Sequence, residues 1–392
     1  GSEMCIRDSL KSSWVTMNFF MLEYIQGVIM MKILAAFDSF KESMTAYAAG
    51  EAVQRAYNNV HICPLADGGE GTMEVMNRYL HGDIHEIEVA GPLFKTVHAK
   101  LAIMDDLAII ESAQACGLDY LTEEEKNGTE ATSYGVGEMM KYAYDHGVKR
   151  FLLTLGGSAC NDGGIGLLSG MGYGFFDQFD QRIPMNARGL ETLDHIKKTR
   201  LDLSNIEVEG ACDVTNPLCG KEGATYVFGP QKKVKDLEKT DQAMKHYAKI
   251  MSELVDKDDS CTPGAGAAGG MGYAIVTGLN GKLVTGFDAV SRTVHLEEAI
   301  QEADIIFTGE GKMDHQTLYG KTPIGVLHLA QKYNKPVVAF CGRCEDKETL
   351  LEAGFEDVRC INHTDEPLSV LLEKGPQYLE EEVRRYLEEK NV

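Results

Sequence analysis

Positive charge is what this sequence has least of. Lysine and arginine number 38 against 60 aspartates and glutamates, which leaves a net charge of -22 at pH 7 and a pI near 4.9. A surface this acidic repels nucleic acid and anionic lipid, so neither is expected as a partner. An anionic substrate would then need N–H groups, lysines or a metal concentrated locally. The ten cysteines follow no disulfide framework and read as reduced thiols of a cytoplasmic protein. One spacing, Cys341-x-x-Cys344 with Cys360-x-x-His363, has the ligand count of a zinc ribbon, but both pairs fall at the ends of strand-like runs, where cysteine packs as a small hydrophobe. Other motifs lack a required part. Gly264-x-Gly266-x-x-Gly269 has the letters of a dinucleotide fingerprint, yet Thr-Pro and a polar DKDDS run precede it where a strand is needed. Gly320-Lys321-Thr322 ends like a Walker loop, but position 315 holds histidine where the first glycine belongs. No G-x-S-x-G elbow is present to support a serine hydrolase.

Uninterrupted apolar runs of membrane length are also missing. Residues 14–30 come nearest, but Asn18, Glu23 and Gln26 break them and no small-residue cleavage site follows. Residues 1–30 are therefore taken as a non-native or mis-started extension, and the fold is expected to begin at Met31-Lys32. From there the chain alternates: a strand over 32–37, a helix capped at Ser43 or Thr45, and a strand over 61–65. Antiparallel texture follows from residue 83, then helices over 135–146 and 165–172 and a strand over 205–211. A charged amphipathic helix with one solvated face is expected over 232–256. Strand and helix alternation resumes after residue 272, with strands over 304–308 and 336–341. The expected fold is α/β: a Rossmann-like parallel-sheet domain formed by both chain ends (32–84 and 287–392), a second α/β domain inserted between them (85–286), and the active site in the cleft between the two.

What the sequence does have is glycine turns after strands. In residues 151–166, FLLTLGGSACNDGGIG, an apolar run breaks into Gly156, Gly157 and Ser158, passes Asn161 and Asp162, and opens a helix. Such a turn offers backbone N–H groups to an anion. Related stretches are ADGGEG, with Asp67, Gly68, Gly69 and Glu70; ACDVTNP, with Asp213 and Asn216; PGAGAAGGMG, with Gly266, Gly269 and Gly270; and TGEGKMD, with Glu310 and Asp314. Asp38 and Ser43 follow the first strand. Acidic groups at the carboxyl ends of strands, opposite glycine cradles, suit Mg²⁺-assisted phosphoryl transfer. Asp213 and Asp314 are candidates to hold the metal or accept a hydroxyl proton, Asp67 is a third catalytic candidate, and Lys41 and Lys321 are candidates to meet a carboxylate or phosphates.

Taken together, DSFKES, ADGGEGT, GPL, GGSAxNDGG, CDVTNPL, FGPQK, PGAGAAGGMG and TGEGKMDxQ, spread over residues 32–342, resemble the type I glycerate kinases, the family of bacterial enzymes of glyoxylate and galactarate breakdown. The resemblance implies a two-domain α/β enzyme that uses ATP to phosphorylate D-glycerate to 2-phosphoglycerate, with glycerate as the small-molecule partner. Two departures stand out: residues 1–30 have no counterpart, and Cys341-Gly342-Arg343-Cys344 replaces a run like AGS. Beyond residue 342 the match is weak. The alternatives kept open are a kinase for another small hydroxy acid, such as tartronate or erythronate, and a non-catalytic sensor of a sugar acid or nucleotide. A homodimer is entertained, although sequence gives no oligomeric state.

Overall fold

The computed structural model describes residues 30–69, 71–314, 317, 321–363 and 366–392. The extension read over residues 1–30 lies outside them, apart from Met30. In chain order the strands are β1 (Ile33–Phe37), β2 (Val60–Ile62), β3 (Asp83–Ala90), β4 (Thr96–Met104), β5 (Leu107–Glu111), β6 (Arg150–Thr154), β7 (Gly174–Phe176), β8 (His195–Lys197), β9 (Glu207–Ala211), β10 (Lys282–Val284), β11 (Ile305–Met313), β12 (Val337–Cys344) and β13 (Asp357–Cys360). β1 is buried throughout, as an unbroken apolar run must be when helices cover both faces of a parallel sheet. Helix Ala46–Ala56 follows it, and Thr45 is the cap: its Oγ1 accepts from the Ala48 N–H at 3.2 Å.

One sheet has the order β13-β12-β11-β1-β2 and is parallel throughout. Numbered within itself, it has the doubly wound order 2-1-3-4-5, whose switch point lies between β1 and β11, and ligands bind at the carboxyl ends of the strands on either side of such a point. The other sheet has the order β10-β9-β6-β5-β4-β3, parallel from β5 to β10 and antiparallel at its β3–β4 edge. The first sheet thus takes its strands from both chain ends and the second from the middle. Ala102, Ile109, Leu152 and Ala211 on one face of the second sheet share a buried core with Leu34, Ala36, Ile306 and Ala339 of the first and the helices between them. Among the described residues no helix is long and apolar enough to cross a membrane.

Three elements depart from expectation. β11 runs on through Gly309-Glu310-Gly311-Lys312 to Met313, because its backbone keeps pairing with Cys341, Arg343 and Cys344 of β12. The charged helix starts only at Leu237, where Asp236 Oδ1 accepts from the Lys239 N–H at 2.9 Å, so Lys232 lies in the turn before it and is buried, not on a solvated face. Helix Gly286–Thr293 was not foreseen. Cys341 and Cys360 are register partners in β12 and β13, and His363 Nε2 is 2.7 Å from Glu382,

Candidate active site

The carboxyl ends of β1, β11 and β9 each deliver an acid. Asp38 leaves β1 with Oδ1 accepting the Ser39 N–H at 2.6 Å and Oδ2 accepting the hydroxyl of Thr322, the first residue of helix Thr322–Gln331. Burial pushes the Asp38 carboxyl up from 3.8 to about 7, against the Thr322 hydrogen bond, with the Asp67 and Glu310 charges adding to the rise. Glu310, on the cleft end of β11, accepts from Thr317 Oγ1 at 2.8 Å and pairs with Lys321 at 3.2 Å; burial raises its carboxyl as well. Asp213 Oδ1 accepts the Gly286 N–H at 2.9 Å, where helix Gly286–Thr293 begins. Burial raises Asp213 too, and Asp67 is among the charges that repel it.

Glycine makes that last neighbourhood. Gly68 has φ +86, and a Cβ there would lie 2.6 Å from Gly286 Cα, so only two glycines allow these loops to cross so closely. The crossing sets Asp67, whose Oδ1 accepts the Gly69 N–H at 2.9 Å, between Asp213 on one side and Asp38 on the other.

Beside a space of about 110 Å³ lined by Asp38, Asp67 and Arg78, two larger cavities open along this row. The larger, about 1120 Å³, is lined by Asp38, Lys41, Ser43, Glu310 and Lys321, with Phe40, Ile361, Leu368 and Leu372 supplying apolar wall. The smaller, about 310 Å³, is lined by Gly68, Gly156, Gly157, Ser158, Asp213 and Lys232. Asp67 and Gly69 line both. Gly156 and Gly157 are exposed at the small cavity.

Several residues singled out in the sequence do other work. Asp162 is fully buried; its carboxylate takes the Ser133 N–H at 2.8 Å, the Ser133 hydroxyl and the Gly164 N–H at 3.0 Å, so it pins the loop from beneath and touches no cavity. Asn161, also fully buried, donates to Thr225 Oγ1 at 2.9 Å. Gly266, Gly269 and Gly270 are no phosphate cradle. Cβ atoms there would lie 2.3 Å from Pro217 O, 2.2 Å from Cys160 O and 2.5 Å from Gly163 Cα, so these glycines let one buried loop pack on another. Asn216 holds a turn, donating to Glu222 O at 2.7 Å. Ser43 lines the large cavity but spends its hydroxyl proton on Leu372 O at 2.7 Å. Asp314 is buried, ion-paired to Lys312 at 3.0 Å and lines neither cavity, so the structure does not bring it to Asp213 as a second metal ligand. Glu70 lies outside the described residues. Lys232 was passed over by the sequence reading; its one signal was the FGPQK motif.

Among the described residues, no three His, Cys, Asp or Glu side chains converge on a point that could hold a metal ion. The donor set nevertheless suits Mg²⁺, which is commonly held by one or two carboxylates plus substrate phosphates. Asp38, Asp67 and Asp213 are hard oxygen donors whose mutual repulsion a divalent cation would relieve.

The description of the family model that matches residues 33–389 is the glycerate kinase family, so the match runs well past the weak tail expected beyond residue 342. Over 362 residues the chain is 39% identical to a glycerate kinase of Haemophilus influenzae, covering 89% of this chain and 96% of that protein. It is 38% identical to glycerate 2-kinase of Escherichia coli over 328 residues, 81% and 86% of the two chains. A crystal structure from Salmonella typhimurium LT2, provisionally assigned as glycerate kinase 2, superposes with a TM-score of 0.85 at 37% identity, covering 92% of this chain and 98% of that one. By sequence and by fold, this chain belongs to the glycerate kinase family.

Proposed function

We propose that the chain transfers the γ-phosphoryl group of ATP to the 2-hydroxyl of D-glycerate, giving 2-phosphoglycerate and ADP. One observation carries the reading beyond family membership: a nucleotide-sized cavity and a small one meet at a shared wall, Asp67 and Gly69, in a row of carboxylates. In this reading the large cavity takes ATP, with apolar wall for the base and Lys41 and Lys321 for the phosphates. Glycerate occupies the small cavity. Its 2-hydroxyl oxygen attacks the γ-phosphorus, the proton passes to the Asp213 carboxylate, and the bond to ADP breaks. The raised affinity of Asp213 for a proton suits it to that task near neutral pH. Asp67 and Asp38 are the residues to hold Mg²⁺, which when bound neutralises charge on the phosphates. A cytoplasmic setting goes with this reading, since ATP is found there and the described cysteines are all free thiols. The same proposal treats residues 32–84 and 287–392 as one unit and 85–286 as a second unit inserted in it.

A coupled ADP-release assay across D-glycerate, L-glycerate, tartronate and erythronate tests the assignment, with the phosphorylated position read by phosphorus NMR. D-glycerate is expected to be turned over fastest, at the 2-position. Turnover of another acid with none of glycerate, or a 3-phosphate product, would replace it.

A further inference from the structure

Lys232 is a buried cation with no counter-ion. It is 5% exposed, and its Nζ donates to Ser158 Oγ at 3.0 Å and Cys160 O at 2.7 Å, both neutral acceptors. Burial pulls its pKa down. Among the described residues no carboxylate lies within ion-pair distance of it, and the third ammonium N–H finds no acceptor. Asp162, the acid of the same loop, is already taken by Ser133 and Gly164. An ammonium taken out of water without an opposite charge is costly, and a chain carrying 60 acids has no shortage of potential partners. The Lys232 side chain nevertheless lines the small cavity. Beside it, the N–H groups of Gly156, Gly157 and Ser158 donate to no group among the described residues. Free amides and an unpaired ammonium thus face one small space.

We infer that Lys232 and the amides of Gly156, Gly157 and Ser158 form the subsite for the carboxylate of the hydroxy acid. This rests on the reading that the small cavity is the hydroxy-acid half of the cleft. The charge count favours a carboxylate over a nucleotide phosphate: one lysine balances one monoanion, and about 310 Å³ suits a three-carbon acid where the nucleotide has about 1120 Å³ next door. A carboxylate held there leaves the 2-hydroxyl one carbon away, toward Asp213 in the same cavity.

Lys232→Met keeps the length and removes the charge; Lys232→Gln keeps a donor. For both, KM for D-glycerate is expected to rise on the order of tenfold to a hundredfold, the range of a charge-assisted hydrogen bond, while KM for ATP moves less than about threefold. Wild type should reject glyceramide, the uncharged amide of the substrate, far more strongly than either variant does. Melting temperature without ligand should hold or rise, because an uncompensated buried charge has gone. A rise in KM for ATP instead would assign the subsite to phosphate and overturn the inference. So would a large drop in melting temperature with both KM values unchanged, or failure of both variants to fold, since either would make Lys232 a structural cation. If wild type turns over no glycerate, the functional reading fails separately; glycerate, lactate and tartronate are then tested by thermal shift. A wild-type shift lost in both variants upholds the subsite, and no wild-type shift with any of them refutes it.

Discussion

Asp38 is the group whose titration should be visible in the whole protein. Its carboxyl is raised from 3.8 to about 7, so between those values the folded chain holds a proton that the unfolded chain has lost. The stabilisation is fully present below pH 3.8 and is lost as pH rises through about 7. Without divalent cations, the melting temperature of the wild type should therefore fall relative to that of Asp38→Asn between pH of about 5 and 8. A gap that stays constant would mean Asp38 is ionised throughout. Mg²⁺ should narrow the gap by favouring the carboxylate. The glycines divide just as sharply, and here sequence and structure disagree. Gly157 and Gly269 looked alike as letters in glycine runs, and both have positive φ, +71 and +69. A Cβ at Gly157 would meet Ala113 Cβ at 3.3 Å, whereas one at Gly269 would lie 2.2 Å from Cys160 O. Gly157→Ala should cost about 1 kcal/mol in urea unfolding and weaken ligand binding, and Gly269→Ala about 3 kcal/mol. Equal losses would show that the packing at Gly269 yields.

At the scale of elements, most strands and helices were legible because their periodicity and caps agree with their place: β1 as a continuous apolar run, helix Ala46–Ala56 from Thr45 and β3–β4 from alternation. The failures occur where tertiary contacts outvote local pattern. TGEGKM reads as a turn, yet β12 keeps it extended and so places Glu310 on a strand. The charges from Lys232 to Asp236 read as the solvated face of a helix, yet only those from Leu237 on are helical and Lys232 goes inward. Strand exits also hide a distinction that sequence cannot draw. Asp213 and Asp314 both follow strands, but Asp213 lines the small cavity and Asp314 is buried against Lys312. Asp213→Asn should lower kcat on the order of a hundredfold or more with little change in melting temperature. Asp314→Asn should do the reverse, with folded protein keeping most of its turnover. A steep loss of kcat for Asp314→Asn at unchanged stability would return it to the catalytic set.

Over the whole molecule, the exchange of strands between the two sheets raises the question of whether they are separable. The larger sheet takes the middle of the chain, β3 to β10, and has its own core on its outer face, with Leu153, Phe151, Leu168, Tyr247 and Met271 among its members. Sequence alternation alone suggests an insertion that could fold by itself. The inner face argues otherwise. Ala102, Ile109, Leu152 and Ala211 are buried against Met73, Met76, Val290 and Leu296, and Glu111 of β5 accepts the Met73 N–H at 2.8 Å. Met73 and Met76 lie before residue 85, and Val290 and Leu296 after 286, so excising 85–286 strips that face of its cover. Apolar surface lost to water costs about 25 cal/mol per Å², and a face of several strands amounts to many kcal/mol against a net stability of about 5–15 kcal/mol. The full chain should therefore unfold in one calorimetric transition, with van't Hoff and calorimetric enthalpies in agreement. The excised 85–286 fragment should aggregate or bind a hydrophobic dye. Two resolved transitions in the intact protein, or a fragment that is monomeric and melts cooperatively, would show that each sheet is stable without the other. The cleft between them would then be a hinge between independent bodies and no longer a groove cut into one shared core.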